Sequence, residues 1–249
     1  MSVVMLLDVA GAAIACIALL FVVIPNPPKT ESGDARSLLK EMHQGFREIY
    51  NNRGLSWVMV TEILTTFFIM PIIALLPLMT LKNFGGDTWQ VSIIEIAFGA
   101  GMLVGGVFLG IRNPSIRKTT LIYVSLISLG ITFWLCGLLP SSAFQWYVVL
   151  TILQGLAVPF YSGPFTALLQ EQVDAAYLGR VFSLFDSVSL LPSVVGLFIT
   201  GFIADAAGIP NVFVACGIAV ILIGIVALFI PSVRKLEKKK PKQERFEQT

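Results

Sequence analysis

The sequence holds 249 residues, 56% of them hydrophobic and only 13% charged, with a mean hydropathy of +0.84 and a net charge of +2. A water-soluble domain carries roughly a quarter charged residues, so a soluble globular enzyme is excluded and lipid must solvate much of the surface. The three cysteines, Cys16, Cys136 and Cys216, fall in apolar runs without metal-ligand or disulfide spacing, and no metal or cofactor is implied.

A bilayer core of about 30 Å needs about 20 apolar residues per helix. Seven stretches qualify, at about 3–24, 55–79, 89–111, 119–139, 144–169, 180–204 and 211–231. Helices are expected because open strands would leave backbone groups unpaired in lipid. The fold class predicted is an all-α membrane protein with seven transmembrane helices: a leading helix and a six-helix bundle. The first span contains Asp8, and no Lys or Arg precedes Lys29, which excludes the pattern of a secretory signal peptide. This beginning reads like the last helix of an upstream half.

Residues 25–54 form a linker. Pro25, Pro27 and Pro28 end the first helix, and Leu38, Leu39, Met42, Phe46 and Ile49 then fall on one face of an amphipathic helix suited to a membrane surface. His43, the single histidine, lies here. Residues 55–231 are the bundle and 232–249 a basic tail. Of the 17 Lys and Arg, 16 fall in one alternate set of connecting segments and only Lys82 in the other. By the positive-inside rule the C-terminus is cytoplasmic and the N-terminus outside. The tail RKLEKKKPKQERFEQT is better explained by anionic lipid than by nucleic acid. With no histidine and no lysine within a span, His-ligated metal chemistry and a retinal Schiff base are excluded, and no Gly-rich phosphate cradle is present.

Acids inside a membrane are functional candidates by default. Glu62 lies in the second span with Thr65, Thr66 and Ile69 on its face, and Glu95 in the third, one turn from Ser92 and Gly99. Asp186 heads a stripe with Ser189, Ser193, Gly196 and Thr200. Gln154, Val158, Tyr161 and Ser162 share a face of the fifth span. A carboxylate in such surroundings could exchange a proton and attract a cationic drug. The series Ala97, Gly101, Gly105, the pair Gly106 and Gly110, Gly196 with Gly201, and Gly217 with Gly224 favour close helix approach. Pro71, Pro77, Pro159 and Pro164 lie where transporters bend helices around a substrate.

The run GLAVPFYSGPFTALLQEQVDAAYLGRVFSLFDSVSLLPSVVGLFITGFIADAAG resembles the tenth and eleventh helices, with their junction, of the major facilitator superfamily. Within that superfamily the likeness is to bacterial drug exporters of the macrolide-efflux type. LLDVAGA in the first span, NNRGLSWVMV and ALLPLM in the second, and WQVSIIEIAFGAGMLVGGVFLG in the third resemble it too. The resemblance covers the family's sixth to twelfth helices. RNPSIRK is similar to the family's basic cytoplasmic gating loop, supplying Arg112, Arg117 and Lys118, but Gly110 stands where the pattern has an acid.

The resemblance implies that the second and fifth spans border a central cavity, with Glu62, Glu95 and Asp186 as proton-coupling or substrate candidates. Thr65, Thr66, Gln154, Tyr161 and Ser162 would line it. It further implies the C-terminal half of a proton-coupled multidrug or macrolide exporter in a bacterial plasma membrane. Its partners would be a lipophilic drug, the proton, membrane lipid and a missing N-terminal six-helix half, without which it would not transport. Two alternatives are a half-size carrier acting as a parallel homodimer, and a remnant that transports nothing.

Overall fold

The computed structural model describes Tyr50 and residues 52–111, 117–173 and 175–236. The leading span with Asp8, the amphipathic helix with His43, Arg112 and the tail beyond Leu236 lie outside the described residues. Within them stand six helices long and apolar enough to cross a membrane. They are α1 (Arg53–Lys82), α2 (Thr88–Ile111), α3 (Lys118–Leu138), α4 (Phe144–Gln172), α5 (Ala175–Ala207) and α6 (Ile209–Phe229). A short α7 (Pro231–Leu236) follows. Several of these exceed the apolar runs that announce them, because a helix continues past the hydrocarbon into polar ends such as Arg53, Lys82 and Gln172.

Helix ends follow from local chemistry. Asp87 caps α2: its Oδ1 accepts from the backbone N–H of Trp89 (3.0 Å) and Gln90 (3.1 Å). Gln90 Oε1 accepts from the Asp87 N–H at 2.8 Å. This reciprocal box satisfies donors that the first turn leaves open. Between α5 and α6 the chain reverses on Gly208 alone, at φ +88°, a region nearly closed to side chains. Pro71, Pro77, Pro159, Pro164 and Pro192 all lie inside continuous helices.

The helices pack in pairs: α3 with α6, α2 with α4, and α1 with α5, while α3 also rests on α4 and α1 on α6. Exchanging α1 with α4, α2 with α5 and α3 with α6 maps this pattern onto itself. Successive membrane-crossing helices alternate in direction, so the two halves of the bundle are an inverted repeat of three helices each. Glycine sets the spacing of the closest pairs. A Cβ on Gly130 would lie 2.8 Å from the Ile221 nitrogen, and one on Gly217 2.5 Å from that of Trp134. A Cβ on Gly101 would run into the Ile152 carbonyl, and one on Gly155 into that of Phe98. Backbones this close gain dispersion and weak Cα–H contacts that stand in for the hydrophobic effect lipid cannot supply. Of the glycines singled out by spacing, Gly101, Gly105, Gly196, Gly217 and Gly224 meet another helix, whereas Gly106, Gly110 and Gly201 face open space.

Two apolar clusters fill the interior. One, around Leu55, Tyr123 and Leu168, includes Val233 and Leu236 of α7; the other surrounds Ile72, Tyr147 and Phe213. Helix α3 is the most enclosed, and α2 and α5 are the most open.

Candidate functional site

Helix α1 turns Leu55, Val58, Glu62, Thr65, Ile72, Leu76 and Met79 into the bundle, the 3.6-residue recurrence of one buried face. Glu62 lies on that line and is only 4% exposed. Its Oε1 is buried without a hydrogen-bond partner among the described residues. Beside it the Thr61 hydroxyl shares a 3.0 Å hydrogen bond with the hydroxyl of Tyr123 on α3. Thr65 donates to the Thr61 carbonyl at 2.7 Å and Thr66 to the Glu62 carbonyl at 3.0 Å. Their hydroxyl protons are thus satisfied within the helix, and their oxygens remain acceptors. An acid whose oxygen is buried and unpaired can hold a proton at little electrostatic cost but a lone charge only at high cost.

The other two acids are placed differently. Glu95 is exposed on α2, off the face on which Ala97, Gly101 and Gly105 are buried. Asp186 is exposed on α5, whereas Ser189, Gly196 and Thr200 turn inward. Gly196 sits against the Phe67 carbonyl of α1, and the Ser189 hydroxyl is buried without a hydrogen-bond partner among the described residues. The stripe read from sequence is therefore a packing seam, with the acid at its margin. The three acids do not form one cluster, and among the described residues no His, Cys, Asp and Glu group could hold a metal ion.

The fifth-span set also divides. Gln154 is fully enclosed and donates from Nε2 to Cys136 Sγ on α3 at 3.2 Å, while its Oε1 has no partner among the described residues. Tyr161 is partly buried against the first apolar cluster, and Ser162 is exposed, donating to the Val158 carbonyl at 3.1 Å. In the basic loop Arg117 is the exposed N-cap of α3, and Lys118 pairs with Glu171 at the end of α4. Sequence reasoning missed Thr61, Tyr123, Cys136 and Glu171 as partners. Only Glu171 carried a signal, in the QEQ preceding the α4–α5 junction.

Six long apolar helices in an inverted repeat, with the buried Glu62 carboxyl on the inward face of α1, define a multi-pass membrane bundle. Residues 72–248 match the family model of the Major Facilitator Superfamily, and the chain belongs to that superfamily, which consists of transporters and not enzymes. It is similar to Macrolide efflux protein A of Streptococcus pyogenes, with 39% identity over 94% of this chain and 58% of that protein. The protein of the same name from Enterococcus faecalis is 41% identical over 77% of this chain and 59% of its own length. The Multidrug efflux pump Tap of Mycolicibacterium fortuitum is 24% identical over 81% of this chain and 48% of that protein. The chain thus spans a little over half the length of the macrolide efflux proteins it matches.

Proposed function

We propose that this chain supplies the C-terminal wall of a proton-coupled exporter of macrolides or similar lipophilic drugs in a bacterial plasma membrane. The facing wall is a second six-helix bundle, from a longer form of the protein or from a separate chain. The basic connections face the cytoplasm. The observation that carries the coupling role is the enclosed Glu62 carboxyl, whose Oε1 has no hydrogen-bond partner among the described residues, beside the Thr61–Tyr123 hydrogen bond. Glu62 takes the proton. The exposed Glu95 and Asp186 attract the cationic part of the drug, and the Lys118–Glu171 pair steadies the cytoplasmic ends of α3 and α4. Similarity to proteins named for macrolide efflux supports the substrate class.

The test is accumulation of a labelled macrolide in an efflux-deficient bacterium. The expected result is no change with this chain alone, and lower accumulation when an N-terminal six-helix bundle from a macrolide exporter is co-expressed. A protonophore should abolish the reduction. Glu62→Gln, which keeps the shape but cannot titrate, should weaken the protonophore-sensitive part at least tenfold with membrane levels unchanged. Full activity in that variant would remove Glu62 from the mechanism. Reduced accumulation with this chain alone would favour a parallel homodimer.

A further inference from the structure

A cavity of about 250 Å³ lies where the start of α3 meets the end of α6. Thr119, Thr120 and Tyr123 line it from α3, Leu228 and Phe229 from α6, and Val233 from α7. The exposed Phe229 stands at its rim, and Thr119 follows closely on Arg117, so it lies on the side of the basic connections. A helix start presents backbone N–H groups, and a helix end carbonyls, that have no partner within their own helix. Here both stand beside threonine hydroxyls. At about 30 Å³ of liquid per molecule, the volume takes several waters. Its lining suits water.

Tyr123 joins this cavity to the buried acid. It lines the cavity, is itself buried, and its hydroxyl meets that of Thr61 on α1 at 3.0 Å. The Thr61 oxygen also lies 2.8 Å from the Val58 carbonyl and 3.0 Å from that of Trp57. Carbonyls only accept, so Thr61 gives its proton to one of them and takes one from Tyr123. The hydroxyl protons thus point from α3 toward α1. Glu62 is the next residue, enclosed, with an Oε1 that has no partner among the described residues. It stands about 14 Å along α1 from Arg53, near the middle of a bilayer core of about 30 Å. A second cavity, a groove of about 320 Å³ between α1 and α5, borders α1 at Met59, Val60 and Ile63 and α5 at Leu184, Phe185 and Val188.

We propose that Glu62 exchanges its proton with the basic side of the membrane through the α3–α6 cavity, by way of the Tyr123 and Thr61 hydroxyls. The inference rests on the reading of Glu62 as the proton carrier and adds its route. A hydronium in the cavity gives a proton to the Tyr123 oxygen, Tyr123 gives its own to Thr61, and Thr61 gives its own to the Glu62 carboxylate. Each hydroxyl gains one proton and loses one, the hydronium returns to water, and the carboxylate becomes the acid. Release runs the same steps backward. The proton then travels past α3 and α6, while the exposed Glu95 and Asp186 stand on α2 and α5.

The experiment is infrared spectroscopy of the full chain in nanodiscs during a switch from H2O to D2O. The carbonyl stretch of protonated Glu62 is the band that Glu62→Gln removes, and its downshift times the exchange of that one proton. Tyr123→Phe keeps the ring without the hydroxyl and should slow the exchange at least tenfold, with the band position unchanged. Leu228→Trp, which fills the cavity, should slow it as well, and Val188→Trp, which fills the α1–α5 groove, should leave the rate as it is. A variant that merely loosened the bundle would speed exchange through local opening, so slowing reports the route. Thr61→Val replaces Tyr123→Phe, and Thr120→Phe replaces Leu228→Trp, if either loses its helical circular dichroism. An unaltered rate without the hydroxyl or with the cavity filled would overturn the route and leave Glu62 as the carrier, as would slowing by Val188→Trp. If Glu62→Gln removes no band, Glu62 holds no proton, and both the route and the carrier reading fall.

Discussion

The pairs α2/α4 and α1/α5 occupy equivalent places in the inverted repeat, yet they are packed by different means. Along α2/α4, Gly101, Gly105 and Gly155 bring the two backbones together, and no room remains for a Cβ on any of them. Along α1/α5 only Gly196 makes such an approach. Toward the basic side the contact passes to larger residues, Met59 and Ile63 against Leu184 and Phe185, and they leave the groove between them. Where small residues line both helices the seam is tight and dry. Where they stop on one helix, the same topology leaves a trough. Symmetry of the fold is thus no guide to symmetry of packing, since side-chain size alone makes one pair a tight seam and leaves a groove in the other.

The contrast can be broken most directly in the tight seam. Gly155→Ala should cost about 2–3 kcal/mol, because the added carbon meets the Phe98 backbone, which cannot step aside. Gly106→Ala, facing open space, should change stability by less than about 0.5 kcal/mol. Thermal unfolding in mild detergent separates the two, and equal midpoints would show that the α2/α4 seam is looser than its backbones indicate. The looser seam should respond in the other direction. Ser189→Ala removes a buried hydroxyl that makes no hydrogen bond among the described residues and should stabilise by up to about 1 kcal/mol. A lower midpoint would mean that this hydroxyl has a partner in lipid or water. The smallest effect belongs to the α3–α4 ion pair. Lys118 and Glu171 are 34% and 41% exposed, and solvent screening leaves such a pair worth less than about 1 kcal/mol. Lys118→Ala should move the midpoint only slightly, and less still at high salt, with any functional effect appearing in transport assays.

The spans were legible because lipid imposes a simple rule: about twenty apolar residues, with charges at the edges. That rule found all six long helices within a few residues, and the motifs around QEQVDAAYLGRVFSL led to the right superfamily. The site was legible only by residue type. Three acids stood out in apolar runs, but hydropathy cannot say which way a side chain points when every face of a helix is apolar. That is why Glu62 is enclosed while Glu95 and Asp186 are exposed, though all three read alike. For the same reason Gln154, expected beside Tyr161 and Ser162, is buried against Cys136. The partners of buried polar groups come from other helices, as Tyr123 does for Thr61, and no spacing within one helix announces them.

The packing of α7 has a consequence for how this bundle could be rebuilt. Leu236 lies against Gly54, where an added Cβ would also meet the Ser232 carbonyl at 2.7 Å, so the last described helix ends beside the beginning of the first. The two ends share one side of the membrane, and a short polar linker could join them. New termini could then be opened in the basic connection between α2 and α3 without reversing the direction of any helix. Circular permutation of this kind is tolerated where the original ends are close and the cut falls in an exposed loop. A permuted bundle that still folds would show that α1 holds its place by its contacts and not by its position as the first helix of the six to be made.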